Sequence, residues 1–139
     1  MKFISYFFFY TYIGLVCLAG IWGAFFNAHL DFSLLMGLDT SELPEGIRNN
    51  LLSQYRFLRA LEFGFGLFAL LFTREIFTQK KFNSLFLVIM ASGILARVAS
   101  LAYEGSPNWM MYFFMIYEII GFIFIYLHTR QSIQAYVPT

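Results

Sequence analysis

Apolar positions along the chain gather into four long runs, with polar or helix-breaking residues between them. The first extends from about 4 to 26, and nothing between Phe3 and Ala28 is charged. A helix rises about 1.5 Å per residue, so roughly 20 apolar residues cross the hydrocarbon of a bilayer. The other runs cover about 51–72, 82–102 and 109–127. Their breaks hold Pro44 and Gly46, then Gln79-Lys80-Lys81, then Gly105-Ser106-Pro107. Pro107 is placed to end one helix or pre-shape the next. Period-two alternation is absent, and four short strands could not close a barrel. The pattern predicts an all-α integral membrane four-helix bundle, with residues 1–139 as a single transmembrane domain. A signal peptide competes for the first run. That run exceeds the usual apolar core of about 7–15 residues and lacks a small-x-small processing site, so a retained helix is expected.

Composition agrees with the pattern. Hydrophobic residues make up 60% and charged residues only 12%, where a soluble domain carries about 25% charged residues. A net charge of +1 and the lack of basic runs argue against a nucleic-acid partner. Cys17, the only cysteine, cannot form an internal disulfide and reads as apolar filler.

Charge in the connections predicts direction. The first connection carries Asp31, Asp39, Glu42 and Glu45 against Arg48, whereas the second carries Arg74, Lys80 and Lys81 against Glu75. Lys2 and Arg130 flank the outermost ends. Basic residues on one side place both termini in the cytoplasm. The stretch HLDFSLLMGLD is too apolar for a freely solvated loop, and it reads either as a short interfacial helix or as a connector touching lipid. Thr40 or Ser41 is expected to cap the turn that follows, and Asn27 to cap the first span.

Charges inside the runs carry the functional signal. Arg56, Arg59 and Glu62 share one helix face, continued by Gly66. Gly93, Arg97 and Ser100 form a comparable stripe in the third run, and Phe114, Glu118 and Gly121 in the fourth. Counted along each helix, Arg59, Glu62, Arg97 and Glu118 all fall between the outer third and the middle of the membrane. Each would cost at least roughly 2.5–3.5 kcal/mol if left to lipid, so they should close on one another. Arg97–Glu118 and Arg59–Glu62 are the simplest pairs, with Arg59–Glu118 as an alternative. Arg56 is shallow enough to reach water, headgroups or a ligand. Three arginines against two acids leave one positive charge to meet a carboxylate or phosphate headgroup.

Several functions fit this arrangement. Arg56, Arg59, Glu62, Arg97, Ser100 and Glu118 could bind a membrane lipid or small amphipathic ligand, with aromatics such as Phe63, Phe65, Phe114 and Tyr117 along its apolar part. Glu118 or Glu62 could instead be the acid or base of a lipid-modifying enzyme. A purely stabilising ion-pair network and an ion or proton pathway complete the set. The two histidines, His29 and His128, lie near opposite ends of the expected bundle, and no phosphate-cradling glycine loop occurs. No metal or cofactor is therefore expected. Cys17, Gly20, Ala24 and Asn27 form a small-residue face on the first helix, suited to internal packing or to a homo-oligomer.

YRF at 55–57, ASGILARVAS at 91–100, GSP at 105–107 and Glu118 together resemble a bacterial family of small four-helix membrane proteins, domain of unknown function 4345, related to the DoxX-like group. The family's arginine before an aromatic corresponds to Arg56 and Phe57. Its small-residue run leading to arginine and serine corresponds to Gly93, Arg97 and Ser100, and its late acid to Glu118. RALEFGFG departs from the family's glycine-rich start through Arg59 and Glu62. The resemblance covers nearly the whole chain. It implies a four-span fold in a bacterial inner membrane, and no substrate.

Overall fold

The apolar runs fold as helices in the computed structural model, which describes residues 1–134. No strand occurs among the described residues. Helix α1 (Lys2–Ile21) passes into π-helical turns over Trp22–Phe26, and α2 spans Ala28–Met36. A 3₁₀ turn at Thr40–Glu42 precedes α3 (Glu45–Leu71), α4 (Thr73–Thr78), α5 (Lys80–Tyr103) and α6 (Trp109–Gln134). Among the described residues, three segments are long and apolar enough to cross a membrane: Lys2–Phe26, Lys80–Tyr103 and Trp109–Ile133. The remaining expected span lies within α3, whose Glu45, Arg48, Arg56, Arg59 and Glu62 lower its hydropathy, and α3 is not among the three.

Local chemistry explains the boundaries. α3 begins ahead of the expected residue 51 because Pro44 can lead into a helix, and its carbonyl accepts the Arg48 N–H at 2.9 Å. Glu45 complements the positive helix start. α4 was not foreseen. The Thr73 hydroxyl donates to the carbonyls of Ala69 and Leu70, each at 2.9 Å, a back-bond that competes with the helical ladder where α3 gives way to α4. Extended backbone at Gln79 then ends α4.

The apolar connector is a capped helix. The Asn27 side chain accepts from Leu30 N at 3.0 Å, while its own N–H closes the π-turn on the Trp22 carbonyl. Asn27 thus caps the start of α2 with its side chain and the end of the first span only through its backbone. Gly37, at φ 64°, stops α2, with its N–H and that of Leu38 returned to Ser33 and Phe32 carbonyls. The left-handed backbone at this position favours glycine. The following cap is Asp39, which accepts from the Ser41 N–H at 2.9 Å and the Ser41 hydroxyl at 2.7 Å. Neither Thr40 nor Ser41 caps the turn as expected, because Thr40 is buried against His29 at 2.6 Å.

The described chain divides into two compact units: a terminal unit of residues 1–12 and 69–134, and a central unit of residues 13–68. In the terminal unit an aromatic core forms around buried Phe9. Phe77 and Phe86 each lie 5.2 Å from its ring, and Tyr6 stacks on Phe77 at 4.1 Å. Ser5 donates to the Phe124 carbonyl at 2.8 Å, joining the first turns of α1 to α6. Thr11 hydrogen-bonds Tyr117.

In the central unit, glycines set how closely α1 and α3 approach. A methyl group at Gly20 would come within 2.7 Å of the Phe63 nitrogen and 2.9 Å of the Arg59 carbonyl oxygen. One at Gly66 would run into the Cys17 sulfur. Cys17 and Gly20 of the small-residue face are thus used for internal packing. Ala28 and Phe32 of α2 bury against Tyr55, with Leu38, Leu51 and Leu52 around them.

Candidate functional site

The intrahelical charges form two clusters, one in each unit. In the terminal unit, α5 and α6 bring Arg97 to Glu118. Arg97 Nε donates to Oε2 at 3.0 Å and Nη2 to Oε1 at 3.3 Å, the bidentate geometry that guanidinium and carboxylate favour. Glu118 is largely buried, whereas the Arg97 side chain is 38% exposed. Among the described residues, Arg97 Nη1 meets only the Met111 sulfur, at 3.8 Å. Arg97 and Met111 both line a cleft of about 130 Å³, together with Ser100, Leu101, Pro107, Tyr112 and Met115. The Tyr112 hydroxyl donates to Ser106 Oγ at 3.2 Å. Ser100 and Arg97, expected together from their spacing, do share this cleft. Gly93 has open space around it, and Gly121 packs against Phe8.

In the central unit, Arg59 bonds Glu62 at 2.6 Å, the second expected pair. Two partners were missed. Arg59 Nε donates to the Tyr55 hydroxyl at 2.7 Å, and Tyr55 donates to Asp31 Oδ2 at 2.8 Å. Arg59 also lies 3.8 Å from that carboxylate oxygen and 4.9 Å from the Tyr55 ring centre. Glycine at position 23 makes the convergence possible, since a side chain there would meet Asp31 Oδ2 at 2.7 Å and Arg59 Cγ at 2.8 Å. The stripe is not uniformly inward: the Arg59 side chain is 15% exposed, but that of Glu62 is 47% exposed.

Arg56 uses one of its donors inside the protein. Its Nη1 donates to the Ala24 carbonyl at 2.7 Å, within the π-helical turns, whose altered ladder is a recurrent feature of functional segments. With Asp31 included, the central cluster holds two arginines and two acids. The single positive charge expected to be left over is therefore cancelled. Tyr55 announced itself only as one aromatic among many, and Asp31 lay in a connection whose folding onto α3 no periodicity revealed.

No group of three or more His, Cys, Asp or Glu side chains placed to hold a metal occurs among the described residues. Outside the helices that could cross a membrane, Asp39 is held below the usual carboxylate range, chiefly by the Ser41 hydroxyl and then the Ser41 N–H.

Three long apolar helices and ion pairs placed between and along helices define a class: a helical protein consistent with integral membrane residence. Residues 7–128 match the profile of the domain of unknown function DUF4345, and the chain belongs to that family. No curated protein and no solved structure matches the chain significantly.

Proposed function

We propose that this is a small integral membrane protein that binds the polar end of an amphipathic or lipid-like molecule in the cleft beside Arg97. One observation carries the reading: Arg97 lines the cleft, and its Nη1 has a thioether as its sole partner among the described residues. Thioether sulfur is a weak acceptor, so an incoming oxygen would gain a stronger bond than it displaces. Ser100 and Tyr112 add hydroxyls, and Leu101, Met111 and Met115 supply apolar wall. A water occupies about 30 Å³ in the liquid, so the cleft suits a small head rather than a bulky one. Because Glu118 neutralises Arg97, the head that fits is a neutral carbonyl or hydroxyl oxygen. The anionic head suggested by counting charges along the sequence fits less well.

In this reading α3 is the fourth span of a four-helix bundle, both termini are cytoplasmic, and the membrane is a bacterial inner membrane. Arg97, Ser100 and Glu118 make the binding site, while Arg56, Arg59 and Glu62 organise the central unit. Both Glu118 oxygens are taken up by Arg97, an arrangement better suited to positioning than to proton transfer. A purely structural ion pair is the competing reading. It draws support from the absence of any buried, unpartnered side-chain nitrogen or oxygen among the described residues.

Lipid extraction and mass spectrometry of the protein purified in nanodiscs separate the two. Wild type should retain an amphipathic molecule, and Arg97→Gln, folded, should retain roughly tenfold less, as loss of a charge-assisted hydrogen bond implies. Absence of a retained molecule, or equal retention in both proteins, refutes binding at Arg97.

A further inference from the structure

One end of the terminal unit collects most of the chain's positive charge. Tyr6 stacks on Phe77 at 4.1 Å and lies 6.2 Å from the His128 ring. Ser132 donates to the Phe77 carbonyl at 3.4 Å. These contacts bring the start of α1, the whole of α4, the start of α5 and the last turns of α6 to the same end. With them come Lys2, Arg74, Lys80, Lys81 and Arg130, five of the nine basic residues in the chain. All five are exposed, and none belongs to an ion pair among the described residues. Among the described residues, Glu75 is the acidic side chain that accompanies them. The connection at the other end of α5 and α6 carries Glu104 and no base.

This end also has a groove. Arg74, Glu75, Thr78 and Gln79 line a space of about 390 Å³ at the α4–α5 junction. The Thr78 hydroxyl is returned to the Arg74 carbonyl at 2.8 Å, so it remains able to accept but not to donate. Among the lining residues, Arg74 and Gln79 are left as the side-chain donors, with Glu75 as the acid between them in sequence. Donors of this kind, at the start of a helix long and apolar enough to cross a membrane, suit the phosphate level of a bilayer. The cost of desolvating five unpaired cations against a neutral surface gives no return, whereas a surface rich in phosphate charge repays it.

We infer that this end is a recognition surface for anionic phospholipid headgroups of the surrounding bilayer, with Arg74 and Gln79 holding one headgroup in the groove and Lys2, Lys80, Lys81 and Arg130 attracting others around it. The surface lies apart from the cleft beside Arg97; it rests on the membrane residence of that reading and not on its binding site. Its partner is the membrane's own anionic lipid, held by charge, and so it is sensitive to salt in a way an apolar annulus is not.

The test uses the full chain reconstituted in phosphatidylcholine bilayers, with spin-labelled phosphatidylglycerol and spin-labelled phosphatidylcholine as probes of the motionally restricted lipid shell. Wild type should favour phosphatidylglycerol several-fold, and the preference should fall to near one in about 1 M salt, where the screening length is only about 3 Å. The triple variant Arg74→Gln, Lys80→Gln, Lys81→Gln should lose most of the preference, while Arg48→Gln, in the central unit, should keep it. A wild-type ratio near one overturns the proposal, as does a preference unchanged by salt or lost equally in Arg48→Gln. Should the triple variant fail to fold, the wild-type salt series decides alone: a preference that survives 1 M salt overturns the inference.

Discussion

The Tyr55 hydroxyl donates to Asp31 at 2.8 Å, so a residue of α3 ties down the short helix that follows the first span. The same oxygen accepts from Arg59 at 2.7 Å. Tyr55 is therefore the joint of the central cluster, and its ring packs on Phe32 at 4.6 Å as well.

Tyr55→Phe keeps the ring and removes both bonds. It leaves Asp31 and Arg59 short of a partner in a largely buried setting, so unfolding in detergent should require about 1–3 kcal/mol less. Asp31→Asn in the same background should add little further loss, because the two residues share one network. Full additivity in chemical unfolding would show that the hydrogen bonds act separately.

Gly66→Ala tests the close approach of α1 and α3. The added methyl would meet the Cys17 sulfur, and overpacking of this kind costs about 1–3 kcal/mol. Cys17→Ala should restore much of the loss by removing that sulfur. Gly64→Ala, where nothing lies within 4 Å, should instead stabilise the helix by about 0.5–1 kcal/mol. Thermal midpoints of the four proteins check both signs.

Much of this arrangement was legible in the sequence, for a physical reason. A charge in an apolar run has few places to go, so Arg97–Glu118 and Arg59–Glu62 followed from depth and helical spacing. The four helical runs followed from length and composition. Asp31 was different: it sits in a polar connection where a charge costs little, and its burial depends on how α2 folds back. The break at Phe72 was hidden because a threonine back-bond, not a proline or glycine, produces it. The Arg56–Ala24 bond was hidden because nothing in the periodicity announces π-helical turns with a carbonyl to receive an arginine.

Asp39 makes the turn before α3 pH-dependent. Its carboxyl is depressed in the folded state by the Ser41 hydroxyl and N–H. A depressed acid contributes stability above its unfolded value, and that contribution is lost as pH falls through the folded value. Exchange of the Ser41 amide should therefore stay protected at neutral pH and accelerate, relative to neighbouring amides, once pH falls below the ordinary aspartate range. Asp39→Asn should abolish that pH dependence. An identical profile in the variant would assign it to another group.

The Arg97–Glu118 pair should show strong coupling. Arg97→Gln or Glu118→Gln alone leaves one charge without its partner, at a cost of about 1–2 kcal/mol after allowing for the partial exposure of Arg97. The double substitution should cost less than the sum of the two singles, as a double-mutant cycle in nanodiscs would show.

Filling the cleft while leaving that pair intact addresses the central claim most directly. Met115 lines the cleft but makes no bond to Arg97 or Glu118. In nanodiscs, saturable binding of a photoreactive monoacylglycerol should be present in wild type and lost in Met115→Trp, with the thermal midpoint retained and labelled peptides mapping to α5 and α6. Undiminished saturable labelling of the filled protein, or no saturable labelling of wild type, would contradict binding beside Arg97.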